Sequence, residues 1–302
     1  MPLHKLSIKN LALTALILLI LIPAIFLAEG FSQFGISKVF DSGNNSGDFK
    51  TALNLVVAII VSSGIIAVFL KFIHKDNIKN IGFSVKNKGF DIILGISTGF
   101  ILISIGFLFL VVLGMLEIND INFNLTNLLY GVLLMVLVSF HEEIIVRGYL
   151  LNVLMKLNSK IIALIISSLY FAMLHIFNNN IDVIPLLNIF LAGALLGVPY
   201  IFTKNLWFPI AFHFSWNFFQ GPVLGFNVSG NINNSLLKHE ITGSNIITGG
   251  EFGIEGSILT TIILSVTIVI LYLYFQKVSE LRKKVKIDFS DNQLYIKDDS
   301  EV

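Results

Sequence analysis

The chain has 302 residues, of which 55% are hydrophobic and 13% carry a charged side chain. Soluble domains carry about 25% charged residues, so this chain could not cover a water-exposed surface of its own size. The mean hydropathy of +0.84 likewise indicates a polytopic membrane protein. A net charge of +1 gives no reason to expect a nucleic-acid partner, and the absence of cysteine excludes disulfides, cysteine nucleophiles and thiolate metal ligands.

Eight apolar segments reach, or nearly reach, the roughly 20 residues that a helix needs to cross a bilayer. They run over Leu11–Ala28, Thr51–Ile73, Ile92–Leu116, Leu125–Leu157, Ile161–Phe177, Ile184–Phe202, Leu206–Phe219 and Gly256–Phe275. The first follows Lys5 and Lys9 as a signal peptide would, but no A-x-A site follows it, and we interpret it as a retained helix. We predict an all-α bundle of about eight transmembrane helices, one domain over residues 1–276 with a short polar cytoplasmic tail at 277–302.

Basic residues predict the orientation of this bundle. With the N-terminus in the cytoplasm, eight spans leave only Lys38, Lys50 and Lys238 of the 20 Lys and Arg residues outside. The positive-inside rule therefore places both termini in the cytoplasm. The Gly-, Asn- and Ser-rich segments Gly30–Lys50 and Gly221–Gly256 are predicted external loops. The Asn, Ile and Lys bias is typical of an AT-rich bacterial genome, so we expect a multi-pass protein of a bacterial cytoplasmic membrane.

Polar and ionisable side chains interrupt three of the predicted spans, where a charge at mid-bilayer costs at least ~2.5–3.5 kcal/mol. They are His141, Glu142, Glu143 and Arg147 in the fourth span, His175 in the fifth, and His213 and Asn217 in the seventh. Such residues are functional-site candidates because the bilayer does not tolerate them without a reason.

Helical spacing separates the two acids. Glu143 and Arg147 lie four residues apart on one face and can neutralise each other, which favours a structural role. Glu142 is turned about 100° away and needs a partner from another span. We predict His175, because Glu142 and His175 each lie 16 residues from the turn at Asn158-Ser159 and hence at matching depth.

The seventh span adds two polar tips on one side of a helix, His213 and Asn217. A buried carboxylate beside a histidine can hold and deprotonate a water, and a second histidine and an amide can donate hydrogen bonds to a developing oxyanion. The residues Glu142, His175, His213 and Asn217 thus provide the groups needed to hydrolyse an amide. The same four would also serve as zinc ligands, with water completing the coordination.

These residues form three motifs: Glu142-Glu143-x-x-x-Arg147, Phe171-x-x-x-His175 and His213-x-x-x-Asn217. Together they resemble the signature motifs of the CPBP intramembrane proteases, which include the type II CAAX prenyl endopeptidases and the bacterial Abi proteins. The order of the motifs, the spacing within each and their placement in the spans all match, over about Leu125–Gly221.

The resemblance implies intramembrane hydrolysis of a peptide bond in a membrane-associated protein or peptide. Glu142 corresponds to the water-activating acid and His175 to its partner, whereas His213 and Asn217 correspond to the oxyanion-binding pair. Glu143 and Arg147 correspond to the structural part of the first motif. His141 lies outside the pattern, and Ile145 rules out a zincin H-E-x-x-H motif.

The family carries a metalloprotease label, yet a metal-free glutamate mechanism is also discussed for it. A zinc ion here would take Glu142, His175 and His213, with the Asn217 amide as a poor fourth ligand. We therefore favour the metal-free mechanism and leave zinc open as a cofactor.

Two other functions fit an acid and histidines within spans. A proton-coupled transporter would use them as a proton relay, although the halves of the chain show no inverted repeat. A non-catalytic membrane scaffold or immunity protein would only bind a peptide or partner at this cluster.

Overall fold

The computed structural model describes residues 8–40, 47–231 and 234–298, and helices dominate it. The helices are α1 (Ile8–Leu16), α2 (Ile22–Phe40), α3 (Gly47–Phe72), α4 (Gly89–Val112), α5 (Leu125–Glu143), α6 (Asn152–Leu157), α7 (Lys160–Met173), α8 (Val183–Thr203), α9 (Trp207–Phe218), α10 (Asn245–Thr248) and α11 (Ile258–Asp298). Three π-helical turns continue this pattern at Ile17–Leu21, Ile144–Leu151 and Phe219–Val223. Two strands, β1 (Leu116–Ile121) and β2 (Leu237–Ile241), pair antiparallel.

Six helical segments are long and apolar enough to cross a membrane, among the residues that the structure describes. They are Ala12–Phe31, Phe49–Phe72, Gly89–Val112, Leu125–Leu157, Val183–Thr203 and Ile258–Leu281. Large apolar side chains such as Ile93 and Val112 of α4 face outward, 64% and 83% exposed. Lipid-facing positions in a bundle carry such residues. The predicted all-α membrane bundle is thereby confirmed in its class.

The two other predicted spans, the fifth and the seventh, form the shorter helices α7 and α9. α7 has 14 residues and is apolar, whereas α9 has 12 residues and is mostly buried. α9 is therefore a central helix surrounded by protein. α4 packs against it closely, because Gly95 and Gly99 let the backbones approach: a Cβ on Gly99 would lie 2.9 Å from the carbonyl oxygen of Phe212.

The predicted fifth span is wrong at its end, because α7 stops at Met173 and not at Phe177. His175 therefore lies in the turn after the helix. Its ring Nδ1–H donates to the carbonyl oxygen of Phe171 at 2.8 Å, one of the carbonyls that a helix end leaves without an intrahelical partner. The predicted turn at Asn158-Ser159 is confirmed, with the Ser159 hydroxyl capping α7.

Three further features differ from the sequence prediction. The two-stranded ribbon of β1 and β2 joins two predicted non-helical connections. α2 extends to Phe40, through half of the predicted loop Gly30–Lys50, and residues 41–46 lie outside the described residues. α11 continues without a break from the last span to Asp298, so the polar segment after Phe275 begins as helix.

Candidate active site

Glu143 lies at the centre of the polar cluster with its side chain fully buried. One oxygen, Oε1, accepts hydrogen bonds from Arg147 Nη1 at 2.8 Å and from His213 Nδ1 at 3.0 Å. The predicted Glu143–Arg147 pair is therefore present. The contact to His213 was not predicted, and it links the first motif directly to the third.

Arg147 connects three helical segments around this pair. Its Nη2 donates to the carbonyl oxygen of Gly193 on α8 at 3.0 Å, and its guanidinium lies 4.5 Å from the ring centre of Phe171 on α7. Such a contact to an aromatic face adds attraction beyond packing. Arg147 has no exposed surface and does not line the cavity described below, which agrees with a structural role.

The backbone changes from α to π geometry directly after Glu143, over Ile144–Leu151. A π turn widens the helix locally and is found frequently at functional sites. All eight residues of this turn are buried. The part of the motif from Glu143 to Arg147 thus lies on an enclosed part of the fourth span, where packing sets the side-chain orientations.

Glu142 has its nearest ionic partner in His213, at 3.9 Å between Oε2 and Nε2. The expectation that His175 would be this partner is wrong at the level of direct contact, since no ion pair joins Glu142 to His175 in the described residues. The reason is the early end of α7, which uses the His175 ring to cap its own last turn. Glu142 and His175 nevertheless line the same cavity.

The hydrogen bonds determine which ring nitrogens face this cavity. A carbonyl and a carboxylate only accept, so Nδ1 carries the proton in both His175 and His213. Nε2 of each ring is consequently the nitrogen left for chemistry. His213 can donate from Nε2 only as an imidazolium, and the adjacent carboxylates of Glu142 and Glu143 favour that form.

The predicted catalytic residues converge on one cavity of about 670 Å³. Glu142, His175, His213 and Asn217 all line it, together with apolar side chains. Asn217 is 7% exposed, yet its side-chain amide makes no hydrogen bond with any residue the structure describes. The amide is not among the fully buried polar atoms that lack a partner, so it reaches the cavity and can bind a water or a ligand there.

Asn188 and Glu255 are among the polar residues of this cavity that sequence reasoning missed. Asn188 on α8 donates to the backbone oxygens of Glu255 and Ser257, both at 2.8 Å. Its position within an apolar span could have identified it, because polar residues are costly there. Glu255 lies on the turn Ile254–Gly256 before α11, in a polar connection where a charged residue does not stand out. Burial raises the pKa of Glu255, and hydrogen bonds from Gln220 and Ser229 and the field of His175 oppose that rise.

His141 also lines the cavity, and its Nε2 lies 2.9 Å from Glu29 Oε1 on α2. This contact joins the first helical hairpin to the helix that carries Glu142. It accounts for His141 as a residue that holds two helices together, in line with its absence from the family motifs.

The donor groups do not assemble into a metal site. No three His, Asp, Glu or Cys side chains of the described residues come together as metal ligands. The Nδ1 hydrogen bonds leave Nε2 of His175 and of His213 free, as such bonds do in metal-binding histidines, but among the described residues only His213 approaches Glu142 and no contact brings His175 to either of them. The arrangement therefore does not fit a zinc ion bound by Glu142, His175 and His213.

Residues 124–219 match the family model of the Rce1-like type II CAAX prenyl endopeptidases. We call this segment the Rce1-like domain, after the family model that it matches. It contains all three motifs and every predicted site residue, and it spans α5 to α9. Glu255 and the helices α1 to α4 and α11 lie outside the Rce1-like domain. No curated protein and no solved structure matches the chain.

Proposed function

We propose that the chain is an intramembrane endopeptidase of the CAAX type, which hydrolyses a peptide bond of a membrane-associated protein or peptide in the cavity around Glu142. The observation that supports this most strongly is the convergence of Glu142, His175, His213 and the unpartnered amide of Asn217 on one cavity. The Rce1-like domain over the same residues supports the peptidase class.

Glu142 is the proposed general base. Its side chain is 26% exposed, toward the cavity, and its Oε2 lies 3.9 Å from His213 Nε2. That separation is too long for a direct hydrogen bond, but a water can bind both atoms at once. Glu142 takes a proton from this water as its oxygen attacks the substrate carbonyl, and then returns the proton to the departing amine.

His213 and Asn217 are the proposed oxyanion donors. The Asn217 amide donates from a preformed position, and His213 donates from Nε2 in its imidazolium form. The Glu143–Arg147 pair orients His213 and compensates its charge. His175 offers the lone pair of Nε2 to the water or to the amine. Donors placed where charge develops act strongly in a site that excludes bulk water.

We propose that the substrate enters the cavity from the membrane, since helices that are apolar enough to span a membrane line the cavity. We place the protein in a bacterial cytoplasmic membrane, with a peptide or membrane-protein substrate.

Substitution of the oxyanion donors tests this function. Asn217→Ala should lower kcat about 10²–10³-fold in purified protein with little change in KM, because the bond strengthens as charge develops. Asn122→Ala, at an exposed asparagine beside β1, is the matched control and should leave turnover unchanged. A loss confined to KM, or equal turnover in both variants, would contradict the assignment.

A further inference from the structure

The cavity has a second carboxylate, supplied from outside the Rce1-like domain. Glu255 precedes α11 and lines the same space as Glu142 and His175. The mechanism above uses Glu142 alone and gives Glu255 no role.

Neutral donors hold this carboxylate in place. The backbone N–H of Ser229 donates to Oε1 at 3.1 Å, and its hydroxyl donates to Oε2 at 3.0 Å. Gln220 Nε2 also donates to Oε1. Gln220 is fully buried and follows Asn217 by three residues, so Glu255 is tied to the helical segment that carries the oxyanion donor.

These contacts orient the carboxylate without neutralising its charge. Among the residues that the structure describes, no Lys or Arg lines the cavity or lies within ion-pair distance of Glu255. Oε1 accepts two of these hydrogen bonds and Oε2 accepts one, so Oε2 retains a lone pair for a further donor. A charge held in a poorly solvated space is stabilised strongly by an opposite charge. Burial raises the pKa of Glu255, and the field of His175 opposes that rise without overcoming it.

The surroundings of Glu255 suit a long cationic side chain. Apolar residues of α8 and α11, among them Ile189, Leu196 and Leu264, line the same cavity. The methylene stem of a lysine or arginine packs on such a surface while its charged end contacts a carboxylate. The amide of Asn217, which has no hydrogen-bond partner among the described residues, offers a donor and an acceptor to a ligand in the same cavity.

We propose that Glu255 binds a cationic group of the substrate, so that the cavity selects peptides with a positive charge close to the scissile bond and disfavours a negative charge there. This inference rests on the proposed peptidase function for the identity of the ligand as a peptide. A Lys or Arg side chain and a free peptide amino terminus share this chemistry.

The test measures binding and cleavage of matched synthetic peptides by the full chain in detergent. Apolar peptides carry Lys, norleucine or Glu at one scanned position, each with a free or an acetylated amino terminus. At one of the scanned positions, acetylated peptides with Lys should bind at least about tenfold more tightly than those with norleucine. Peptides with Glu at that position should bind more weakly than both. Tight binding only with a free amino terminus would identify the terminus as the cation.

Glu255→Gln should remove this preference, whereas Glu251→Gln, at an exposed carboxylate four residues earlier, should keep it. Equal binding of Lys, norleucine and Glu peptides by the unmodified chain would overturn the inference, as would an unchanged preference in Glu255→Gln. If Glu255→Gln fails to fold, binding of the peptide series by the unmodified chain still tests the inference. Cleavage without a charge preference contradicts the cation site alone, whereas charge-selective binding without any cleavage contradicts the peptidase function alone.

Discussion

Glu143 and Arg147 combine two tasks that a single substitution can separate. Arg147→Ala leaves the Glu143 carboxylate buried without its cation, a change that costs about 3–5 kcal/mol for buried pairs. We expect a clear loss of folded protein in size-exclusion profiles. Glu143→Ala with Arg147→Ala should recover much of that loss, but not the activity, because His213 is no longer oriented.

Lys156→Ala is the control for this experiment. It breaks a partly exposed ion pair with Asp76, which is worth at most about 1 kcal/mol. The proposed role of the buried pair is wrong if Arg147→Ala is as abundant as Lys156→Ala, or if the double variant is as active as the unmodified chain.

The residues of the site differ in how readily they can be predicted from the sequence. Glu142, His213 and Asn217 stand out because a polar group within an apolar helix is costly. The contact of His213 with Glu143 could not be predicted, since helical spacing does not tell how α9 is rotated against α5. Glu255 carries no such signal because it lies in a polar, glycine-rich connection.

At the scale of elements, the position of α9 depends on its close packing against α4. Gly99→Ala would bring a Cβ to within 2.9 Å of the Phe212 carbonyl oxygen and push apart the helix that carries His213 and Asn217. Overpacking of this kind costs about 1–3 kcal/mol. We expect lower thermal stability and lower turnover in Gly99→Ala.

Gly64→Ala is the matched control, because a Cβ on Gly64 of α3 meets nothing within 4 Å. Alanine there should leave stability unchanged or raise it slightly through helix propensity. Equal thermal stability of the two variants would show that close approach of α4 and α9 is not needed.

The β1–β2 ribbon should loosen as the pH falls. His239 of β2 packs 4.8 Å from the ring of Phe226, and neither ring nitrogen has a hydrogen-bond partner among the described residues. Burial lowers the pKa of His239, so the unfolded ribbon binds a proton more readily and stability decreases as the pH drops below about 6.5. The protection factors of the ribbon amides, which correct for the intrinsic slowing of exchange at lower pH, should fall between about pH 7.5 and pH 5.5. His239→Phe should remove this dependence, and a variant that keeps it would contradict the assignment.

The ribbon and the end of α7 also show where pattern reasoning fails for elements. The helix before β1 ends with Gly114 in a left-handed conformation, a local turn that hydropathy does not reveal within an apolar run. At α7 the apolar run continues to Phe177, whereas the backbone leaves the helix at Leu174 because the His175 side chain caps it. Hydropathy thus predicts how much chain is apolar better than where each helix stops.

For the whole molecule, composition alone predicts the membrane bundle, and eight apolar segments coincide with helices. What composition cannot distinguish is a helix that faces lipid from one that is enclosed by protein. α9 is as apolar as a lipid-facing helix but lies at the centre, and its central place brings the third motif to the first. The site is therefore a product of the packing order of the helices as much as of their motifs.

The most direct test of the account compares peptide cleavage by the purified chain and by Glu142→Gln, with Glu117→Gln at an exposed position of β1 as the control. Glutamine keeps the shape of the side chain and removes the base, so we expect a loss of at least about 10²-fold in kcat with the fold intact. Glu117→Gln should cleave at the unmodified rate. Full cleavage by a folded Glu142→Gln protein would contradict the central claim that Glu142 activates the attacking water.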